Sequence, residues 1–445
     1  MDASQLNWLS ATDAARAVRD GAISAEQLTE ACLARVREVD GDVQAWAYLD
    51  PEHALRQAHE RDLERSKGQP TGPLHGVPIG IKDIFDTEDM PTEDGSVLHA
   101  GRTPAHDATA VAMLRAAGAV ILGKTVTTEF ATYRPGKTRN PHDPRHTPGG
   151  SSSGSAAAVA AGMVPLALGS QTNGSVIRPA AFCGVYGFKP THGLVPRGGV
   201  MKLSRTLDHV GMFARTLEDI ALIAEQLTGL DPRDPDTRAR ARMPFAAAAS
   251  EEPPFPPLLA FVKGPVWDRA AAETVSAFEE LAQALGERVV AVDMPESARQ
   301  ALDWHRVIME AEMAAHLDRE WEQGRDQLSE SLRQQLARGR EVTALEYQRA
   351  CARIPLLNEG FEEIFERCDA VMTPAAAGTA PQGLESTGDP AFCTLWTLCG
   401  MPAITLPLMR GANGLPMGVQ LVGPRGGDLR LLRTARWLTA QVAAG

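Results

Sequence analysis

The stretch TPGGSSSGSAAAVAAGMVPLALGSQTNGSVI, residues 147–177, runs for 31 residues without a charged side chain or a histidine. A chain with 22% charged residues is expected to place about seven charges in such a length. The stretch therefore reads as largely buried. It does not read as a membrane span, because Pro165 and the many Gly, Ser and Thr residues keep its apolar runs short of the roughly 18 residues required. Its parts are a Gly/Ser loop, an Ala-rich helix (SAAAVAAGM, 155–163), a short buried strand (PLALGS, 165–170) and a turn at QTNGS. A helix should follow, with Pro179 in its first turn, where a missing N–H is tolerated.

Upstream, LHGVPIGIKDIFDT (74–87) is rich in Val and Ile and bounded by Gly and Pro, the pattern of a buried strand, with Lys82 near its end. A helix over about 108–117 and a strand at AVILGKT (119–125) complete the alternation of an α/β sheet. The segment 133–148 reads as a loop. Residues 11–40 give two amphipathic helices, the second opened by a capping box of Ser24 and Gln27. Downstream, 231–257 holds seven prolines and no period and reads as a surface connection, and 268–370 is mostly helical after LLAFV, with ERVVAVD as a further strand. Strands return in CDAVMTPAAAGTAP, MPAITLPL and GLPMGVQLVGP.

Composition narrows the function classes. With 44 Lys plus Arg against 56 Asp plus Glu, the net charge is −12. No basic cluster offers the electrostatic footprint of a nucleic-acid or anionic-membrane binder. The six cysteines contain no CxxC pair, which argues for buried thiols rather than a zinc site, redox motif or disulfide scaffold. The opening MDASQLNWLSATDAARAV lacks the basic and apolar regions of a signal peptide, so a cytoplasmic location is expected.

Chemistry concentrates in Lys82 of GIKDIFDT, the run GGSSSGSAAA from Gly149 and SQTNGSVIRPAAFCG from Ser170. A linker would not lie inside a buried stretch. A phosphate cradle of the GxxxxGK type needs a lysine that does not follow these glycines. Alone, Lys82 is an ordinary ammonium or a partner for Asp83 or Asp86. A serine hydroxyl attacks only when a neighbour takes its proton, and no histidine lies in the three motifs. Lysine can serve when neutral, and burial beside Ile79, Ile81 and Ile84 would favour that form. His75, His142, His146 and His192 lack metal-ligand spacing and read as loop or surface residues. Lys124 lacks the buried setting of Lys82 and reads as structural. Trp304, Met309, Met313 and Trp321 read as core.

Lys82 in HGVPIGIKD, Ser151 after Gly149 and Gly150, and Ser175 lying 24 residues further on resemble the motifs of the amidase signature family. FKPTHGLVPRGG (188–199), LDHVG (207–211) and the ending GLPMGVQLVGP extend the resemblance over most of the chain. Within the family the sequence is most similar to the malonamidase branch and related bacterial amidases, through GIKDI, NPH, TPGGSSSGSAAAV, VIRPAA, STGDP and LWTL.

The resemblance implies an α/β/α sandwich in which helices cover a large mixed central sheet, with 1–445 as one domain. The catalytic motifs fall in 74–210, and a mostly helical 210–370 partly caps the site. It also implies a hydrolase of carboxamides, carbamates (urethanes) or esters that uses no cofactor and no metal. Neutral Lys82 takes the proton of Ser151, whose hydroxyl relays the proton of Ser175. The N–H groups of Thr172, Asn173, Gly174 and Ser175 hold the oxyanion, and the Gly150–Ser151 peptide is cis.

Two departures bear on the substrate. QTNGS stands where many members have DTGGS or DTAGS, so Gln171 replaces an acid and Asn173 a Gly or Ala. Asparagine tolerates a left-handed backbone, and its side chain is expected to narrow the site. Arg178 lies three residues after Ser175, as in malonamidase-like members, and either holds a substrate carboxylate or braces the loop. The expected partner is a small amide or carbamate, with no nucleic acid or membrane, and the enzyme is a monomer or homodimer. One rival is the glutaminase component of an amidotransferase complex, which typically carries an SDTGGSIRQPA-like turn. The other is a nucleotide-binding or scaffold protein without chemistry.

Overall fold

A computed structural model describes residues 3–444; Met1, Asp2 and Gly445 of the expected 1–445 unit lie outside the described residues. Short apolar runs bounded by Gly and Pro become strands: β1 (Trp46–Leu49), β2 (Pro78–Lys82), β3 (Val120–Thr125), β4 (Leu166–Gln171), β5 (Tyr186–Lys189), β6 (His209–Ala214), β7 (Leu259–Val262), β8 (Val289–Val292), β9 (Ala370–Pro374), β10 (Ala403–Arg410) and β11 (Pro416–Val422). They join one 11-stranded sheet in the order β1-β3-β2-β4-β6-β5-β10-β11-β9-β7-β8. The sheet is mixed. β2 runs parallel to β3 and β4, whereas β6 is antiparallel to both β4 and β5.

Alternation along the central strands builds a core on each face. Leu166 and Leu168 of β4 join one cluster with Ile79, Ile81 and Ile121, while Ala167 joins another with Leu122 and Phe213. The second face is covered by the helix Ser153–Ala160, whose small side chains let it lie close to the sheet. A side chain at Gly154 would strike the backbone of Ala45 and Val126. The large mixed sheet under helices is the expected fold.

The expected capping box is present at Ser24 and Gln27, and Pro179 sits in the first turn of Ile177–Cys183. The 231–257 segment differs from the surface connection expected. It contains the helix Phe245–Ser250, whose Phe245, Ala248 and Ala249 are buried, and its Asp231, Asp234 and Thr237 are buried as well. The alanines supply the apolar face that prolines at both ends obscure.

Candidate active site

β2 and β4 run parallel, with Ile81 beside Leu168, so Lys82 and Ser170 emerge at the same end of adjacent strands. The Lys82 Nζ donates to Ser151 Oγ at 2.7 Å and to Ser170 Oγ at 2.8 Å. Lys82 is completely buried, and among the described residues it forms no ion pair. Burial drives its pKa well below the ordinary 10.5, opposed only by the field of Asp208. Asp208 does not touch it. Its own carboxylate accepts from the Thr172 hydroxyl at 2.6 Å and from the Leu203 and Ser204 N–H groups at 2.9 Å.

Ser151 precedes the helix Ser153–Ala160, and the Gly150–Ser151 peptide is cis. Ser175 lies in the turn between β4 and the helix Ile177–Cys183 and lines a narrow pocket of about 20 Å³ with Thr172, Asn173, Gly174 and Arg178. A larger cavity of about 270 Å³ reaches Ser170 and Thr172, and the two share Ala131, Thr172 and Leu203 as walls. Met309 and Met313, from the helix Ala301–His316, and Gln335, from the helix Glu330–Glu341, close the Ser175 pocket. The two methionines, expected only as core, are thus buried and face the pocket.

The turn is held from beneath by Gln171. Its Oε1 accepts from the Val176 and Ile177 N–H groups at 2.8 and 3.0 Å, and its Nε2 donates to Thr397 Oγ1 at 2.9 Å. Asn173 is not left-handed; among the described residues the non-glycine positive φ values fall at Gln44, Asp94, Phe130 and Ala131. Its side chain is held in the pocket wall, with Oδ1 accepting from Thr394 at 2.7 Å and Nδ2 3.4 Å from the hydroxyl of Tyr133, which also lines the pocket. Gly174 is tightly packed, since a Cβ there would lie 2.9 Å from an Arg178 nitrogen and 3.0 Å from Pro390.

Arg178 is buried. Its Nη2 donates to the Gly150 carbonyl and its Nε to the Thr387 carbonyl, both at 2.7 Å. Its Nη1 is buried without a partner among the described residues. Lys124 is as buried as Lys82, contrary to expectation, because β3 is an interior strand; what sets it apart is an ion pair with Asp83 at 3.2 Å. His75, expected as a loop or surface residue, lies in the turn before β2 but is buried, with its Nε2 2.8 Å from the Arg61 carbonyl. Among the described residues no three His, Cys, Asp or Glu side chains gather as a metal site.

Sequence reasoning missed Ser170, Thr397 and His305. Ser170 stood inside the motif already singled out, at the end of β4, where the serine in an apolar strand was the available signal. Thr397 and His305 approach from segments 224 and 133 residues away in sequence; Thr397 stood inside the LWTL motif already quoted, without a role, and no local pattern announces His305.

Residues 27–432 match the Amidase family, and the chain belongs to this amidase signature family. It is 35% identical to a glutamyl-tRNA(Gln) amidotransferase subunit from Chloroflexus aggregans, covering 96% of this chain and 95% of that one. Among solved structures, a 6-aminohexanoate cyclic dimer hydrolase superposes with a TM-score of 0.87 at 30% identity, covering 98% of this chain and 97% of that one. The peptide amidase of Stenotrophomonas maltophilia gives 0.84 at 30% identity, with the same coverage.

Proposed function

We propose that the chain is a free-standing amidohydrolase that cleaves the C–N bond of small carboxamides or carbamates, and activated esters, through an acyl-enzyme on Ser175. The observation that carries this reading is a fully buried Lys82 with only hydroxyl partners, 2.7 Å from Ser151. Ser175 Oγ attacks the carbonyl carbon while its proton passes to Ser151 and that of Ser151 to the neutral Lys82 Nζ. The N–H groups of Thr172, Asn173, Gly174 and Ser175 receive the oxyanion. Collapse breaks the C–N bond, and the amine leaves with the proton returned from Lys82. Water then attacks the acyl ester by the same relay.

Arg178 supports a neutral substrate, because its Nε and Nη2 are committed to Thr387 and Gly150. The helical segment acts as a partial lid through Met309, Met313 and Gln335. The enzyme is a cytoplasmic monomer or homodimer. The curated relatives favour a second reading, the glutaminase component of an amidotransferase. Against it stands the QTNGS turn.

Turnover of malonamate, a neutral anilide, an aryl carbamate and glutamine distinguishes these readings. Faster hydrolysis of the anilide or carbamate is expected. Preference for malonamate would assign the free Nη1 of Arg178 to a carboxylate, and preference for glutamine would favour the amidotransferase reading.

A further inference from the structure

The oxyanion N–H groups belong to a turn that cannot orient itself. In a trans peptide the carbonyl of one residue and the N–H of the next point in opposite directions, so a partner that fixes a carbonyl also aims the following N–H. Among the described residues only Gly150–Ser151 is cis. Three of the turn's carbonyls have hydrogen-bond partners. The Thr172 carbonyl accepts from His305 Nε2 at 2.8 Å, the Asn173 carbonyl from Thr397 Oγ1 at 2.6 Å, and the Gly174 carbonyl from the Arg178 N–H at 3.0 Å. The last contact belongs to the helix that follows the turn. The first two come from the helices Ala301–His316 and Ala391–Leu398.

We infer that His305 and Thr397 are positioning residues that aim the Asn173 and Gly174 N–H groups at the developing oxyanion. This rests on the proposed role of Ser175 and its turn. His305 is buried and touches neither Ser175 nor Lys82 in any hydrogen bond; its ring donates Nε2–H to a backbone carbonyl, and burial lowers its pKa to about 4, keeping the ring neutral. A packing residue at this position needs no donor, whereas an aiming residue does. The helix that carries His305 also carries Met309 and Met313 into the pocket, so the segment that shapes the substrate space also sets the geometry of the charge-stabilising turn.

A fluorophosphonate tests this without knowledge of the natural substrate. Ser175 Oγ forms a bond to phosphorus, fluoride leaves, the serine proton passes through Ser151 to Lys82, and the phosphoryl oxygen takes the oxyanion position. His305→Ala and Thr397→Val should each lower the maximal labelling rate kinact about tenfold or more, since removing a direct oxyanion donor costs about 100-fold to 1000-fold and misaiming one costs less. KI should be unchanged, because the ground-state complex depends little on this geometry. His305→Gln and Thr397→Ser keep a donor at the same reach and should restore most of the rate. Thr397→Val is isosteric and stands in where His305→Ala unfolds.

Deletion variants within about twofold of wild-type kinact would overturn the assignment, as would Gln and Ser variants no faster than the deletions. Wild-type protein that is not labelled at Ser175 would overturn the nucleophile reading itself. Labelling with a flat variant series would overturn only the positioning role.

Discussion

Lys82, the last residue of β2, and Lys124, the last but one of the parallel neighbour β3, are both fully buried, yet the protein surrounds them differently. The register places Lys124 beside Ile81 and Lys82 beside Thr125, so the two side chains leave opposite faces of the sheet. On one face Lys124 meets Asp83 at 3.2 Å, the Pro91 carbonyl at 3.0 Å and the Thr92 hydroxyl. On the other, Lys82 meets two serine hydroxyls and no carboxylate. Burial lowers both pKa values, but Asp83 opposes the fall at Lys124, while Lys82 drops well below its ordinary range. Depth alone does not make a lysine a base. Withholding the counter-ion does.

The largest expected effect separates the two kinetically. Lys82→Ala and Ser175→Ala should each remove nearly all turnover, and the double variant should be little worse, because groups in one relay are not additive. A Ser175→Ala enzyme that keeps more than about a tenth of the wild-type rate would sink the assignment.

Lys124→Met should instead reduce stability, by about 3–5 kcal/mol, because it strands a buried Asp83. Denaturant unfolding reads this directly, and Asp83→Asn added to Lys124→Met should recover part of the loss. No recovery would mean that the pair is not the reason Lys124 is tolerated.

A third experiment makes Lys82 resemble Lys124. Only unprotonated Lys82 can accept a proton, so kcat/KM should rise with pH through the Lys82 pKa, which lies well below 10.5. Ser170→Asp places a carboxylate beside it, favours the ammonium and should move the acid limb of the profile to higher pH. An unmoved limb would show that another group titrates. The smallest effect is none: dialysis against EDTA should leave turnover unchanged, and loss restored by zinc would contradict the lysine-based reading.

The strand–helix alternation is legible from local pattern, whereas Lys82, Ser151 and Ser175 are singled out together by the likeness of their motifs to those of the amidase signature family. Lys124 shows where such reading stops. Its burial follows from β3 being an interior strand, which the segment AVILGKT does not reveal. His305 and Thr397 illustrate a second limit, since a side chain that reaches a distant backbone carbonyl leaves no periodicity behind. Asn173 was legible as a departure, but its consequence depended on Thr394 and Tyr133, which only the fold brings near.

The amide at Gln171 gives the bracing network a direction. Two backbone N–H groups, of Val176 and Ile177, require an acceptor, so the Gln171 oxygen faces them and its NH₂ group must face Thr397. The Thr397 hydroxyl oxygen then accepts that hydrogen bond, leaving its own hydrogen for a carbonyl, the Asn173 carbonyl at 2.6 Å being nearer than the Cys393 carbonyl at 3.1 Å. A carboxylate at 171 would satisfy the same two N–H groups but would offer Thr397 an acceptor instead of a donor. The single threonine hydrogen would then be contested between the acid and the turn. With glutamine the backbone N–H groups orient the amide, and the amide leaves the threonine hydrogen to carbonyl acceptors alone, the Asn173 carbonyl being the nearer.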